Sequence, residues 1–207
     1  MLRAVLIAPP GAGKGTQGDR LAAAYGVPHI SLGEILRTHV ARRTPTGLLI
    51  EATLERGELV EDSLVTRALF DQLAKTAGGF ILDGFPRTLA QAIEAERWTV
   101  AAGLPLHAAI ELQVPREELV RRLTRRSAHS SRSDDTQETI LHRLDVYDRE
   151  SRDLLGYYRQ EGILITVDGS GEVGAVTQRI SARLDQVLDQ TKQDLEPEVV
   201  PTDRAIE

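Results

Sequence analysis

The sequence predicts an α/β fold in which a parallel sheet of five strands lies between two layers of helices. Two observations carry that prediction: five short apolar runs rich in β-branched residues recur along the chain, and the stretches between them read as helices. Strands that alternate with helices are joined by crossovers that return each strand in the same direction, so the sheet is parallel and has three layers. A length of 207 residues fits one principal domain with room for small insertions.

The first run, Ala4 to Ala8, follows Met1 almost at once and carries one basic residue, Arg3, which makes it a strand and too short an apolar stretch for a secretory leader. The other strands are expected at Val27 to Ile30, Phe80 to Leu82, Ala108 to Val114 and Ile163 to Val167. Ile140, Leu144 and Tyr147 recur at helical spacing, and Pro115 followed by Glu117 and Glu118 reads as a helix start with acid at its positive end. Two stretches break the alternation: residues 31–60, whose helical turns are interrupted at Pro45 and Gly57, and the serine-rich residues 127–135. Both read as insertions into a domain of residues 1–190, leaving a core of 1–30, 61–126 and 136–190. Residues 191–207 are acidic, punctuated by Pro197 and Pro201 and without helical period, and are expected to be disordered.

Composition excludes several classes. No apolar run approaches the ~18 residues a membrane span needs. With no cysteine there is neither a disulfide nor a thiolate ligand, so a zinc site in the 127–135 segment is excluded on that ground, and the five histidines lack metal-ligand spacing. A net charge of −6 argues against generic nucleic-acid binding. The expectation is a cytoplasmic, monomeric protein with small-molecule partners.

Chemistry begins after the first strand, at Ala8-Pro9-Pro10-Gly11-Ala12-Gly13-Lys14-Gly15-Thr16, followed by a helical run through Leu21, Ala22 and Tyr25. Small residues let backbone N–H groups wrap a phosphate, the helix N-terminus adds positive partial charge, and Lys14 reaches the outer phosphates. The strict phosphate-loop pattern is broken twice: Ala8 replaces the first glycine, and Gly15 precedes the hydroxyl residue Thr16. The order Lys14-Gly15-Thr16-Gln17 resembles the adenylate kinase form of this loop, which implies a P-loop fold and makes Gly11, Ala12, Gly13, Lys14, Gly15 and Thr16 ATP-binding residues. Ala8 should keep a negative φ, because a left-handed backbone costs a non-glycine residue about 1–2 kcal/mol.

The second constellation is Asp83-Gly84-Phe85-Pro86-Arg87-Thr88-Leu89-Ala90-Gln91, at the end of the third expected strand, where such sheets bind ligands. Asp83 can hold a magnesium-bound water, the Gly84-Phe85-Pro86 turn exposes backbone, Arg87 offers a bidentate fork to a phosphate, and Gln91 can pair with a base edge. Alone this would be an ordinary loop. Beside the phosphate loop it matches the adenylate kinase acceptor motif, which implies that Arg87 grips the AMP phosphate and Gln91 reads adenine. Within 31–60, Ser31-Leu32-Gly33-Glu34-Ile35-Leu36-Arg37 and Gly57-Glu58-Leu59-Val60 resemble the contact strips of the family's small helical NMP-binding insertion. The resemblance makes Leu32, Arg37, Glu58, Leu59 and Val60 part of the AMP site, and Glu34 a second holder of magnesium-bound water. Arg37 alone would read as a solvated helix arginine. Leu32 stands where the family usually has threonine, so base selectivity rests more heavily on Gln91 and backbone groups.

From Arg116 to Arg132 the chain also carries Arg121, Arg122, Arg125 and Arg126, an arginine density that calls for an anionic partner in a net-acidic protein. No aromatic residue lies between 99 and 146, so a base-stacking RNA platform is not visible. Arg122, Arg126, Arg132, Asp134, Asp135 and Arg143 fall on the spacing of the short-lid adenylate kinases. The resemblance implies that Arg122 stacks on the ATP base, that Arg126, Arg132 and Arg143 surround the phosphates, and that Asp134 and Asp135 orient those arginines. Ser131 takes the place of a usual glycine. Gly171, in Asp168-Gly169-Ser170-Gly171, resembles the backbone contact to the ATP base.

The reaction implied is Mg-dependent, reversible phosphoryl transfer from ATP to AMP. Lys14, Arg37, Arg87, Arg126, Arg132 and Arg143 would position and neutralise the moving group, with no residue acting as a base. A UMP/CMP-type kinase is the near alternative, and a nucleotide-binding switch the alternative from another class.

Overall fold

The computed structural model describes residues 1–56, 58–76, 78–127 and 136–195. Among them, five strands, β1 (Arg3–Ile7), β2 (His29–Ser31), β3 (Phe80–Asp83), β4 (Ala108–Gln113) and β5 (Leu164–Asp168), form one sheet in the order β2-β3-β1-β4-β5. Every pairing is parallel. The helices are α1 (Lys14–Tyr25), α2 (Leu32–Ala41), α3 (Pro45–Glu55), α4 (Asp62–Leu73), α5 (Leu89–Ala101), α6 (Arg116–Ser127), α7 (Gln137–Gln160) and α8 (Val173–Leu195). The expected five-stranded α/β sheet is therefore present, each strand having at least one end displaced by one or two residues from its expected place.

Side chains alternate across each strand, and the sheet accordingly separates two cores. Ala4 and Leu6 of β1 join Ile81, Ile110, Leu119, Leu123, Leu144 and Ile180 on one side, while Val5 and Ile7 join Phe80, Leu82, Leu69, Ile50 and Tyr158 on the other. Burying a Leu, Ile or Phe side chain contributes about 1.5–3 kcal/mol, so these two apolar layers are what fix the strand register. α7 serves both: Ile140 and Leu144 enter the first core, Leu154 and Tyr158 the second.

Local chemistry sets the helix starts. Thr44 accepts from Gly47 N at 3.0 Å, with Pro45 in the first turn of α3; Thr88 accepts from Gln91 N at 3.3 Å at α5; Thr136 accepts from Thr139 N at 3.2 Å at α7. Pro45 thus opens a helix where the sequence suggested an interruption. At the other end, α8 runs to Leu195, so residues 191–195, expected to be disordered, are helical. Near that end Thr191 Oγ1 donates to Val187 O at 2.9 Å, and Lys192 pairs with Asp189 at 3.0 Å. No helix of the described residues is long and apolar enough to cross a membrane.

Because the strands are parallel, the loops that leave β1, β3 and β5 all emerge at one edge, and the register pairs Leu6 with Asp83 and Gln113 with Asp168 there.

Candidate active site

The loop from β1 to α1 turns on two glycines in the left-handed region, Gly11 at φ 83° and Gly13 at φ 98°. Gly11 is also sterically required: a Cβ there would lie 2.8 Å from Leu123 Cγ and 3.2 Å from Leu119 O, so the loop nests on α6. Gly13 caps α1 without any side-chain acceptor, leaving the first N–H groups of the helix to an anion. Ala8 keeps a negative φ as expected, Arg43 being the non-glycine residue with positive φ among those described. Ala8 is buried in the sheet edge and gives the loop its anchor rather than its turn.

Lys14 folds back over the loop, its Nζ donating to Ala8 O at 2.6 Å and Pro9 O at 3.1 Å. Loss of solvent lowers its pKa from 10.5 to about 8; Asp83 opposes that shift, and the positive charges of Arg87 and Arg126 add to it. Lysine, aspartate and two arginines from three separate segments therefore share one field.

Asp83 ends β3 and is buried. Its Oδ1 has no hydrogen-bond partner, and its Oδ2 lies 4.0 Å from His29 Nε2, itself unpartnered. A buried carboxylate oxygen without a partner is costly unless water or an ion meets it, so the site fits an ion held through water. Glu34, in the first turn of α2, is exposed and offers a second carboxylate. Among the described residues no cluster of three or more His, Cys, Asp or Glu could hold a metal ion directly.

Next to Asp83, Gly84 turns at φ 82°, and a Cβ on it would lie 3.3 Å from Arg87 Nη2, 3.7 Å from Leu32 Cβ and 3.8 Å from Gly33 N. A Cβ on Gly33 would lie 3.1 Å from Arg37 Nη1. Glycines thus let Leu32, Arg37 and Arg87 converge. Arg87 is exposed, and its guanidinium donates from Nε to Gly84 O at 2.8 Å. Protein crowding lowers its pKa; Asp83 opposes this, and Arg143 and Arg37 lower it further. Arg37, Arg87 and Arg143 thus lie close enough for their positive charges to act on one another, an arrangement suited to an anion.

Gln91 is buried at 2% exposure, and its Oε1 accepts from Arg87 N at 2.7 Å. Its carbonyl oxygen is thus committed to bracing the acceptor loop. Phe85 and Pro86, joined by a cis peptide, are buried, Phe85 standing edge-on to Phe70. Glu58 is exposed and pairs with Arg56 at 2.8 Å, Leu59 is half-buried, and Val60 enters the second core. On the other side, Arg122 donates from Nε to Glu118 at 2.7 Å and reaches Gly169 O at 3.5 Å, which brings α6 to the loop holding Gly171 at φ 91°. Gly15 and Thr16 are exposed at the start of α1, and Ala12 is buried. Arg132, Asp134, Asp135, Ser131 and Gly57 lie outside the described residues.

Three contributors were not singled out by the sequence reading as site residues. Buried Gln17 donates to Val173 O at 3.1 Å and accepts from Thr177 Oγ1 at 2.8 Å, tying α1 to α8. His29 bridges Asp19, at 2.8 Å, towards Asp83. Arg179 holds the loop after β5. The signals were faint: Gln17 was legible only as a motif position, and His29 and Arg179 act across the fold.

Comparison with known proteins agrees with this geometry. The family model described as adenylate kinase matches residues 6–163. The chain is 44% identical over 186 residues to an adenylate kinase of Clavibacter michiganensis, covering 89% of this chain and 93% of that protein. It is 46% identical over 180 residues to one of Thermus thermophilus, covering 87% and 95%, and 42% identical over 188 residues to one of Kocuria rhizophila, covering 90% and 100%. A glycine-rich loop between strand and helix, arginines gathered at the same sheet edge and these similarities along nearly the whole chain have one reading: it belongs to the adenylate kinase family of nucleoside monophosphate kinases.

Proposed function

We propose that the chain carries out reversible phosphoryl transfer from ATP to AMP, giving two ADP, with the residue roles that follow. The observation that supports this reading best is that Lys14 of the phosphate loop and Arg87 of the acceptor loop lie in one electrostatic field with Asp83 and Arg126. Donor and acceptor phosphates bound there would meet.

The backbone from Gly11 to Thr16 and the Lys14 ammonium bind the ATP phosphates, while Arg122 and the Gly171 backbone meet its base. Arg37 and Arg87 take the AMP phosphate. Leu32, the Glu58-Leu59-Val60 strip, the Gly84-Phe85-Pro86 turn and the amide nitrogen of Gln91 surround the acceptor nucleoside. Arg126, Arg132 and Arg143 neutralise charge on the moving group, and Asp134 and Asp135 orient them. Asp83 and Glu34 would hold, through water, the magnesium that accompanies ATP, an ion that supplies further charge neutralisation when bound. Such a transfer needs positioning more than covalent chemistry, so no side chain need take a proton.

Residues 31–60 and 127–135 act as two flaps on the core of 1–30, 61–126 and 136–190, closing over both substrates because water would otherwise compete as acceptor. The enzyme works as a cytoplasmic monomer, with neither nucleic acid nor membrane as partner. A pyrimidine monophosphate is the second reading for the acceptor, which the absence of a hydroxyl at buried Leu32 permits and Gln91 disfavours.

Steady-state kinetics of Arg87→Ala test the roles. Loss of a bidentate, charge-assisted contact raises the AMP KM on the order of 10-fold or more, while the ATP KM stays within about twofold. An unchanged AMP KM would remove Arg87 from the acceptor site.

A further inference from the structure

We propose that Arg179 is a positioning residue that preforms the ATP-base loop, and through it sets ATP affinity and base choice. This rests on the reading above, in which residues 168–171 meet the ATP base.

The loop leaves β5 at the same sheet edge as the phosphate loop and holds its shape by an unusual concentration of bonds to its carbonyls. Arg179, on α8, donates from Nη1 to the carbonyl of Asp168 and from Nη2 to that of Ser170, the latter at 2.6 Å. The same Nη1 pairs with Asp168 Oδ2 at 2.9 Å, and Asp168 Oδ1 accepts from Ser170 N at 2.9 Å. Between the two carbonyls Arg179 holds, that of Gly169 lies 3.5 Å from both terminal nitrogens of Arg122. Three consecutive carbonyls thus face guanidinium groups, two of them the same one. A planar fork is suited to this in a way an ammonium is not, because two donors leave one rigid plane.

The next residue, Gly171, sits at φ 91°, and a Cβ there would lie 3.7 Å from Arg179 Nη2. Arg179 therefore lies directly behind the backbone that would face the nucleotide, without reaching the nucleotide itself. The far side of the same turn is tied to the phosphate helix: Gln17 bonds Val173 O and Thr177, and Arg20 Nε donates to Thr177 Oγ1 at 2.8 Å. Base loop and phosphate loop are so fixed to each other before nucleotide arrives. By contrast, no bond from Arg179 runs to α2, α3 or the acceptor loop among the described contacts.

A preformed loop binds at its intrinsic affinity, and one that is competent only part of the time binds more weakly by that fraction. Steady-state kinetics of wild-type, Arg179→Ala and Arg179→Lys enzymes with ATP, GTP and AMP test this. In Arg179→Ala the ATP KM rises about fivefold or more, as for a loop competent a fifth of the time, and the ATP-over-GTP preference falls. AMP KM and kcat stay near wild type, a split that general destabilisation would not produce. Arg179→Lys, which keeps charge but can hold only one carbonyl well, is intermediate and supplies the test by itself if the alanine variant does not fold. An Arg179→Lys enzyme with wild-type ATP KM and base preference overturns the proposal, as does an equal rise of both KM values in either variant. If the wild-type chain failed to make ADP from ATP and AMP, the functional reading would fall first. If it makes ADP and the variants match it, only the role of Arg179 falls.

Discussion

His29 Nε2 stands 4.0 Å from Asp83 Oδ2, and neither that nitrogen nor Asp83 Oδ1 has a hydrogen-bond partner. The imidazole reaches this place because α1 presents no side chain at Gly18, where a Cβ would fall 2.3 Å from the same nitrogen. His29 is fixed on its other side by Asp19 at 2.8 Å, so it cannot swing aside freely. Gly18→Ala would gain about 0.5–1 kcal/mol of helix propensity. Overpacking against the ring costs about 1–3 kcal/mol, and the clash wins. Thermal unfolding should show a lower midpoint for this variant; a raised one would mean that the ring yields.

Gly47 poses the same question with backbone as the neighbour. A Cβ there would lie 2.1 Å from His39 O and 2.8 Å from Val40 N, so α2 and α3 touch main chain to main chain. Backbone cannot rotate away, and Gly47→Ala must part the two helices at a cost of about 2 kcal/mol or more. Kinetics should find the AMP KM raised more than the ATP KM, since the distortion lies in the 31–60 segment. Equal effects on both would count against that segment as the acceptor flap.

Arg43 is held at φ 49° just past α2, where its N–H meets Val40 O at 2.9 Å. A left-handed non-glycine residue costs about 1–2 kcal/mol. Arg43→Gly relieves this but adds unfolded-chain entropy of about 0.4–1 kcal/mol, leaving a net gain of about 1 kcal/mol at mid-range and up to about 1.6. For a chain of this size that raises the melting midpoint by about 2–4 °C. A lower midpoint would assign Arg43 a stabilising contact that outweighs its strain.

At the opposite edge of the sheet, Arg3 N donates to His107 Nδ1 at 3.0 Å, and its guanidinium lies 2.9 Å from Nε2. Burial, Arg3 and the N-terminal ammonium lower the His107 pKa from 6.5 to about 4. Between these values the unfolded chain binds the proton and the folded chain does not, so stability rises with pH across pH 4–6.5 and is lost as pH falls through that window. His107→Gln removes this contribution. The slope of melting midpoint against pH between 6.5 and 4 should be shallower in the variant, and an unchanged slope would show that His107 does not contribute.

The sheet was legible because its strands carry their own pattern: Ala4, Val5, Leu6 and Ile7 are apolar on both faces, as a strand buried between helix layers must be. Lys14, Arg87 and Asp83 were legible because each sits in a local motif at a strand end, with glycines marking the turns. Arg179 was not, because a helix arginine reads as solvated until the fold brings it against carbonyls eleven and nine positions earlier in the chain. His29 likewise has meaning only once Gly18 and Asp83 close round it. The motif at Gln91 implies a contact with the base, whereas its carbonyl oxygen accepts from the Arg87 backbone, a contact that depends on the turn between them. The end of α8 is not legible in the sequence, because the acids and Pro197 and Pro201 that follow give no helical period, while the helix itself runs to Leu195.

The most direct test of the central claim is ADP formation by the purified chain with ATP and magnesium, comparing AMP, UMP, CMP and water as acceptors. Turnover with AMP should stand well above that with either pyrimidine nucleotide, and turnover with water alone should be negligible. ATP hydrolysis that is as fast without any monophosphate as with AMP would contradict that claim.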